Sequence, residues 1–541
     1  MSWTMIVLLL LFGIFLCLGT ILSILWWQSW WDANQDSNSS SSKKESICRK
    51  ELIPAIVLLV LSVASLIGVY CLDKSDHRSL SGPTSADFGP GILASWVQVV
   101  PGNSGCAPEF GDESAEVPAI GNCEPKFSAR AVVRVGKQCP SVVVRDKSGE
   151  RVIKLLAREP RDGFESVTVC GVPIGSPRTV TFPDQNSIPV KTSDWELNGP
   201  PKIVFLGDSG CRGMQKEQPC IPSDWPFRSI ADKSASDRPN LVVHLGDYMY
   251  MGEDVWDDWN RYFFKPARSL LGAAPWIAVR GNHERCSNEN HWKGFDLFFG
   301  DESAVVCNNN STKLAKPYAV DLSKKLRLII ADSAEAYAEK SAVRNSTMAW
   351  PSSVECPVST LEVGEKKNAE EAVCTAIMQV LSNAARLAYR EGEKQVWLAT
   401  HVPVVGIERD KNDVDYIPES SAMMLAAWRA VKSNDSWPFD FILSGDRHLY
   451  QVIEFNNGTT SQVKQLVVGT AGVLLDDLPF KGSSPVYASF DKKDHSDFYS
   501  SNGCSYKDHG YLVAKWHAAS YEFEFKPWSS SSGSNPCPVP R

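Results

Sequence analysis

Five short segments of this chain each place a metal-type ligand directly after an apolar run. They are Gly207-Asp208-Ser209-Gly210, Gly246-Asp247-Tyr248-Met249-Tyr250, Gly281-Asn282-His283-Glu284, Thr400-His401-Val402-Pro403 and Ser444-Gly445-Asp446-Arg447-His448. The preceding runs, Ile203 to Leu206, Leu241 to Leu245, Trp276 to Val279, Val396 to Ala399 and Phe441 to Leu443, read as buried strands. In open α/β sheets, ligands gather beyond the carboxyl ends of the strands. Oxygen donors and imidazoles delivered there suit Mn, Fe and Zn. Two such cations, about 3.5 to 4 Å apart, can neutralise an anionic phosphate ester and activate a water. An uncoordinated His beside them can handle the leaving group's proton. Singly, each residue is weak evidence, because Asp after Gly is most often a cap or turn former. Asn282 alone reads as a turn residue and Tyr250 alone as core. Their joint occurrence, each at a strand end, carries the metal reading.

The order of these segments resembles the calcineurin-like metallophosphoesterases. It is most similar to the purple acid phosphatases and to bacterial relatives whose first motif continues Gly-Asp-Thr-Gly-Cys-Arg, here Gly207-Asp208-Ser209-Gly210-Cys211-Arg212. The resemblance covers about residues 200 to 520. It implies Asp208 as a ligand of the first metal, Asp247 as the bridge, Tyr250 as a phenolate on Fe(III), and His448 completing that site. It implies Asn282 and His401 on the second metal, and His283 as the catalytic group that contacts phosphate without binding metal. Asn282 and His283 would contact the substrate; Arg212 beside them suits bidentate phosphate recognition, as do Arg285 and Arg447, although an exposed or ion-paired Arg is the commoner reading for each. The family's last motif reads Gly-His-x-His, whereas this chain has Gly445-Asp446-Arg447-His448. Asp446 still offers a harder, anionic donor, so the second metal is expected among Zn, Mn, Fe, Mg or Ca. Related phosphodiesterases and alkaline phosphatases of the superfamily have a similar Gly-Asp-x-His.

The elements that must position these residues follow from pattern. From Pro200 onward, apolar runs alternate with helical segments at Trp256 to Leu271, Asn368 to Glu391 and Ser420 to Lys432. This predicts an α/β fold over residues 199–528, which the resemblance makes a two-sheet βαβ sandwich flanked by helices. Trp256, Trp259, Tyr262 and Phe263 fall at helical spacing and read as core. His244 sits inside an apolar strand and reads as packed. Residues 92–198 hold short β-type runs separated by turns, expected as a small all-β sandwich. Residues 73–91 read as a linker and 529–541 as a loose tail unless Cys537 pins it.

Two N-terminal stretches, Met5 to Trp27 and Leu52 to Leu72, each reach the length that spans a bilayer. The loop between them carries Lys43, Lys44, Arg49 and Lys50, which places it in the cytoplasm. Residues 1–72 are thus expected as a two-helix anchor in the lipid bilayer, with the catalytic part extracellular or lumenal. A net charge of −8 argues against a nucleic-acid partner. Three cysteines lie in the anchor, Cys17, Cys48 and Cys71, leaving an even number beyond it. Disulfides fit an oxidising compartment, although sequence does not fix their connectivity. Sequential pairing gives short loops: Cys106 with Cys123, Cys139 with Cys170, Cys211 with Cys220, Cys286 with Cys307, Cys356 with Cys374 and Cys504 with Cys537. Zinc clusters are the alternative, but no paired C-x-x-C spacing occurs. Glycosylation sequons begin at Asn309, Asn310, Asn345, Asn434 and Asn457. The expected function is a membrane-anchored exoplasmic phosphatase that hydrolyses phosphomonoesters with a dinuclear centre and a metal-bound hydroxide. The competing expectations are a phosphodiesterase or nucleotide pyrophosphatase, and a non-catalytic cell-surface binding protein.

Overall fold

The computed structural model describes residues 91–101, 123–190, 202–286, 291–300, 313–336, 365–388, 394–409, 438–456, 462–478, 486–489, 502–517 and 520–529, with isolated positions between them. The chain divides into Met1–Thr84 and Ser85–Arg541, and the account below concerns the second unit. The spans Met5 to Trp27 and Leu52 to Leu72 lie outside the described residues, as do the five sequons and nearly all of the linker. Among the described residues, no helix is long and apolar enough to cross a membrane.

Two sheets face each other, one of nine strands and one of eight. In the first, Lys202–Leu206, Leu241–His244 and Trp276–Ala278 run parallel. In the second, Leu326–Ile330, Gln395–Ala399, Phe441–Ser444 and Gln462–Val468 run parallel. Strand alternation builds the layers, since successive side chains leave opposite faces of a sheet. Ile203, Phe205, Leu241 and Val243 point into the core between the sheets, where they meet Leu328, Trp397 and Leu443. Val204, Leu206 and Val242 point the other way, against the helix Phe227–Ser236 and the helical run from Trp256 to Leu271. Ile329, Leu398 and Ile442 likewise back onto the helix Glu365–Leu387. The result is a helix–sheet–sheet–helix sandwich. Trp256, Trp259, Tyr262 and Phe263 are core, as their spacing predicts. Their helix carries a π turn, Asn260–Phe264, directly before Pro266, whose missing N–H interrupts the usual ladder.

The β-rich stretch 92–198 does not sit apart as its own sandwich. Ile92–Val100 pairs in parallel with Trp276–Ala278, with Gln98 opposite Trp276. Lys126–Arg134, Val167–Gly175 and Leu156–Ala157 then extend the nine-stranded sheet. Ser141–Asp146, Gly149–Lys154, Thr179–Thr181 and Ile188–Pro189 form a separate four-stranded sheet. The cause is visible in the first strand. Val97 and Val99 join the inter-sheet core while Ala94 and Trp96 join the outer, helix-covered one, so both faces need cover. Polar ties fix the arrangement: the Arg130 and Arg158 guanidiniums donate to Gly300 O at 3.0 and 3.1 Å, and Arg161 pairs with Asp296 at 2.9 Å.

Cys106–Cys123, Cys139–Cys170, Cys211–Cys220, Cys286–Cys307 and Cys504–Cys537 are disulfides, as sequential pairing predicts. Cys374 is also disulfide-bonded, and the expected partner Cys356 lies outside the described residues. Cys537 is therefore pinned to the second sheet.

Candidate metal centre

All five motif segments follow strands whose carboxyl ends converge where the two sheets meet. Asp208, Asp247 and Asp446 each turn the chain sharply, with φ of 58°, 56° and 66°. Asp tolerates this left-handed region better than most residues but still at some cost. The turns are laced together: Asp208 N–H donates to Gly246 O at 2.9 Å, Ser209 N–H to Asp247 O at 3.0 Å, and Gly445 N–H to His401 O at 2.9 Å. They stack so closely that a Cβ on Gly281 would lie 2.2 Å from Asp247 N, and one on Gly445 would lie 2.5 Å from Asp208 Oδ2. These two glycines are spacers for a neighbouring ligand turn.

The predicted residues gather into two adjoining groups. On one side, the Tyr250 hydroxyl donates to Asp208 Oδ1 at 2.7 Å and lies 3.1 Å from His448 Nε2, which is itself 3.5 Å from Asp208 Oδ1. On the other, His401 Nε2 lies 2.8 Å from the Asn282 carboxamide oxygen, 3.3 Å from Asp247 Oδ1 and 3.7 Å from Asp446 Oδ1. Asp208, Asp247 and His401 present ligand atoms within 4.8 Å of one another, which joins the two groups into one buried cluster. His401 Nδ1 donates to Leu245 O at 2.7 Å, so Nε2 is the nitrogen turned toward the oxygens. With its amide turned over, Asn282 donates to His401 Nε2 at 2.8 Å, Asp446 Oδ1 at 3.2 Å and Asp247 Oδ2 at 3.3 Å. A donor set of carboxylates, amide and imidazole fits a divalent or ferric ion.

Charge in the site follows the same logic. Burial works against charging His401, but Asp247, Asp208 and Asp446 outweigh it and push its pKa up to about 10. His448 is raised to about 9, with Asp476 overcoming burial. Burial, reinforced by Asp247 and Asp208, pushes Asp446 up to about 7. Burial also opposes ionisation of Asp247, yet the His401 and His283 imidazoles hold it far below the usual carboxylate range. Protons thus occupy places that a cation would take, and metal uptake would release them.

Three groups that support the ligands carry no motif signal, or only an ambiguous one. Glu284 is fully buried; its Oε2 accepts from Gly281 N at 3.0 Å and Asp247 N at 3.1 Å, and its Oε1 accepts from Tyr248 N at 2.9 Å. Asp476 accepts His448 N–H at 2.9 Å and sits 3.2 Å from His448 Nδ1, leaving Nε2 for the centre. Nothing in the local sequence marks Asp476. Glu408 pairs with Arg447, which also pairs with Asp446.

At the rim, the Arg212 guanidinium lies 3.0 Å from His448 Nδ1 and over the Tyr250 ring. The Cys211–Cys220 loop holds it, with Arg212 N–H donating to Gln218 Oε1 at 2.9 Å. His283 packs on Tyr250 with ring centroids 4.2 Å apart, and its backbone N–H donates to Asp247 Oδ1 at 2.9 Å. Burial pushes the His283 pKa down to about 4.

Beneath the site, His244 is core, as its strand position predicts. It stacks on Tyr248 at 4.0 Å and lies 2.9 Å from Ser209 Oγ. Burial lowers its pKa from 6.5 to about 3. The folded state therefore resists a proton that the unfolded chain accepts below pH 6.5, so stability falls as pH drops from 6.5 toward 3. Complete titration costs about 5 kcal/mol from this residue alone. His244→Phe should flatten the acid limb of a urea-derived stability profile; an unchanged acid limb would contradict this.

Comparison with known proteins gives one family. Residues 201–450 match the calcineurin-like phosphoesterases. Among solved structures, a purple acid phosphatase from yellow lupin (Lupinus luteus) seeds shares 12% identity, covering 76% of this chain and 71% of that one, with a TM-score of 0.45. PhoD shares 10%, covering 82% and 88%, with a TM-score of 0.45. A dimetal phosphatase from Danio rerio shares 13%, covering 61% and 96%, with a TM-score of 0.31. No curated protein matches the chain.

Proposed function

Because residues 201–450 belong to the calcineurin-like phosphoesterases, we propose that this metal-dependent phosphoesterase is a membrane-anchored phosphatase acting on phosphomonoesters outside the cytoplasm. Asp208, Asp247, Tyr250 and His448 would hold the first ion, Fe(III). Asp247, Asn282, His401 and Asp446 would hold the second. The observation that carries the reading is the buried convergence of Asp208, Asp247 and His401, whose ligand atoms lie within 4.8 Å of one another, with Asn282 and Asp446 beside His401 Nε2. When bound, two cations supply charge neutralisation of the phosphate and an activated water.

The chain's own residues do the rest. Arg212 stands at the rim, where its guanidinium can take two phosphate oxygens in a fork. His283 is fixed by its backbone bond to Asp247 and its contact with Tyr250. Burial keeps it neutral in the free enzyme, and an anionic phosphoryl group beside it raises its proton affinity. The ring is then able to protonate the leaving oxygen. The disulfides support an oxidising, exoplasmic setting. The anchor rests on Met5 to Trp27 and Leu52 to Leu72 alone.

A second reading, phosphodiesterase, is favoured by Asp446, whose added negative charge repels a monoanionic diester less than a dianionic monoester. Purified full-length protein assayed on p-nitrophenyl phosphate and bis(p-nitrophenyl) phosphate decides between them. We expect the monoester to be preferred by about tenfold or more in kcat/KM, a margin of roughly 1.4 kcal/mol in the barrier; preference for the diester overturns the proposal. A visible tyrosinate-to-iron band, lost in Tyr250→Phe, is expected for the first site, and a band that survives would remove Tyr250 from it.

A further inference from the structure

The position where this chain departs from its family is also where a charged chain of side chains ends. Asp446 Oδ1 faces Asn282 and His401, whereas Asp446 Oδ2 is engaged by the Arg447 guanidinium. The other arm of Arg447 is engaged by Glu408. Glu408 belongs to a two-stranded hairpin, Glu408–Arg409 with Asp415–Tyr416, that follows the His401 loop. Charges alternate along Asp446, Arg447 and Glu408, and the Asp446 and Arg447 side chains are only 8% and 9% exposed.

We propose that Arg447, held by Glu408, is a positioning residue that sets the strength and coordination mode of Asp446 toward the second metal ion. The inference rests on the ligand reading of Asp446 given above. A carboxylate at this position brings a full negative charge to a site already crowded with Asp208 and Asp247. The guanidinium offsets that charge and occupies Oδ2, which leaves Oδ1 as the single inward donor. Glu408 offsets the guanidinium in turn, so the two residues pull the site in opposite directions. Without Arg447, Asp446 loses the guanidinium that offsets its charge and engages Oδ2. Without the Glu408 charge, Arg447 weighs more heavily on Asp446.

The test is a Mn²⁺ titration of metal-stripped, full-length protein against a fluorescent competitor chelator, with far-UV circular dichroism to check folding. Arg447→Gln should tighten the weaker site about tenfold, and Glu408→Gln should loosen it about tenfold, the scale on which partners behind a ligand act. A merely structural role would weaken binding in both variants, and that result, or no change in either, overturns the inference. Glu408 is the more exposed end of the pair, so its variant reports even if Arg447→Gln does not fold; binding that is unchanged or tighter in Glu408→Gln then decides against the proposal. Asp446→Asn separates the two levels. If it leaves both affinities unchanged, the ligand reading itself fails. If it weakens the site while Arg447→Gln does not tighten it, only the inference falls.

Discussion

Asp247→Asn is expected to lower kcat/KM by at least about 10⁴-fold and to leave no more than one metal ion per chain. Asp247 is the carboxylate that both halves of the centre share: it lies 3.3 Å from His401 Nε2, accepts the His283 N–H and clusters with Asp208. Asn keeps the shape and is one of the few residues at ease with a φ of 56°, so the fold should survive. What is lost is the negative charge that the proposed dinuclear centre would need between its two cations. Elemental analysis, kinetics and a thermal melt on the same preparation check this. Two bound metals with activity within tenfold of the parent would refute the bridging role.

Glu284→Ala is expected to destabilise the protein by about 4 kcal/mol, because it strands three buried backbone N–H groups at about 1 to 3 kcal/mol each. Those groups belong to Gly281, Asp247 and Tyr248, so the damage lands on two ligand turns at once. Metal retention should fall with stability. Glu284→Gln keeps one acceptor oxygen and turns a donor toward the remaining N–H groups, so an intermediate loss is expected. Urea denaturation measures both variants, and a loss below about 1 kcal/mol in Glu284→Ala would show that water replaces the carboxylate.

The turns that converge on the candidate centre were legible because their signal is local: an apolar run, a glycine or threonine, then a residue of donor type. Asp208, Asp247, Asn282, His401 and His448 needed nothing from the rest of the chain to be noticed. The disulfides were legible for a related reason, since each described pair joins sequential neighbours. Asp476 and Glu408 were not, because an Asp in a loop and a Glu on a short strand acquire meaning only from the His448 and Arg447 they meet in space. The fate of Ile92–Val100 failed similarly. Its β character is local, but its pairing with Trp276–Ala278 joins segments far apart in sequence. Periodicity reports which faces are apolar, not which strand lies alongside. The apolar run on both faces, Ala94 and Trp96 outward with Val97 and Val99 inward, was the one hint against a free-standing sandwich.

The close stacking of the ligand turns makes their histories interdependent. Gly281 precedes Asn282 but gives room to Asp247; Gly445 precedes Asp446 but gives room to Asp208. A side chain gained at either glycine would damage a ligand encoded elsewhere, so the defect would be misattributed if read from sequence neighbourhood. Substitutions across motifs should combine non-additively. A drifting lineage could surrender a donor while these glycines stayed fixed by packing. Their persistence would then testify to an ancestral architecture rather than to surviving catalysis.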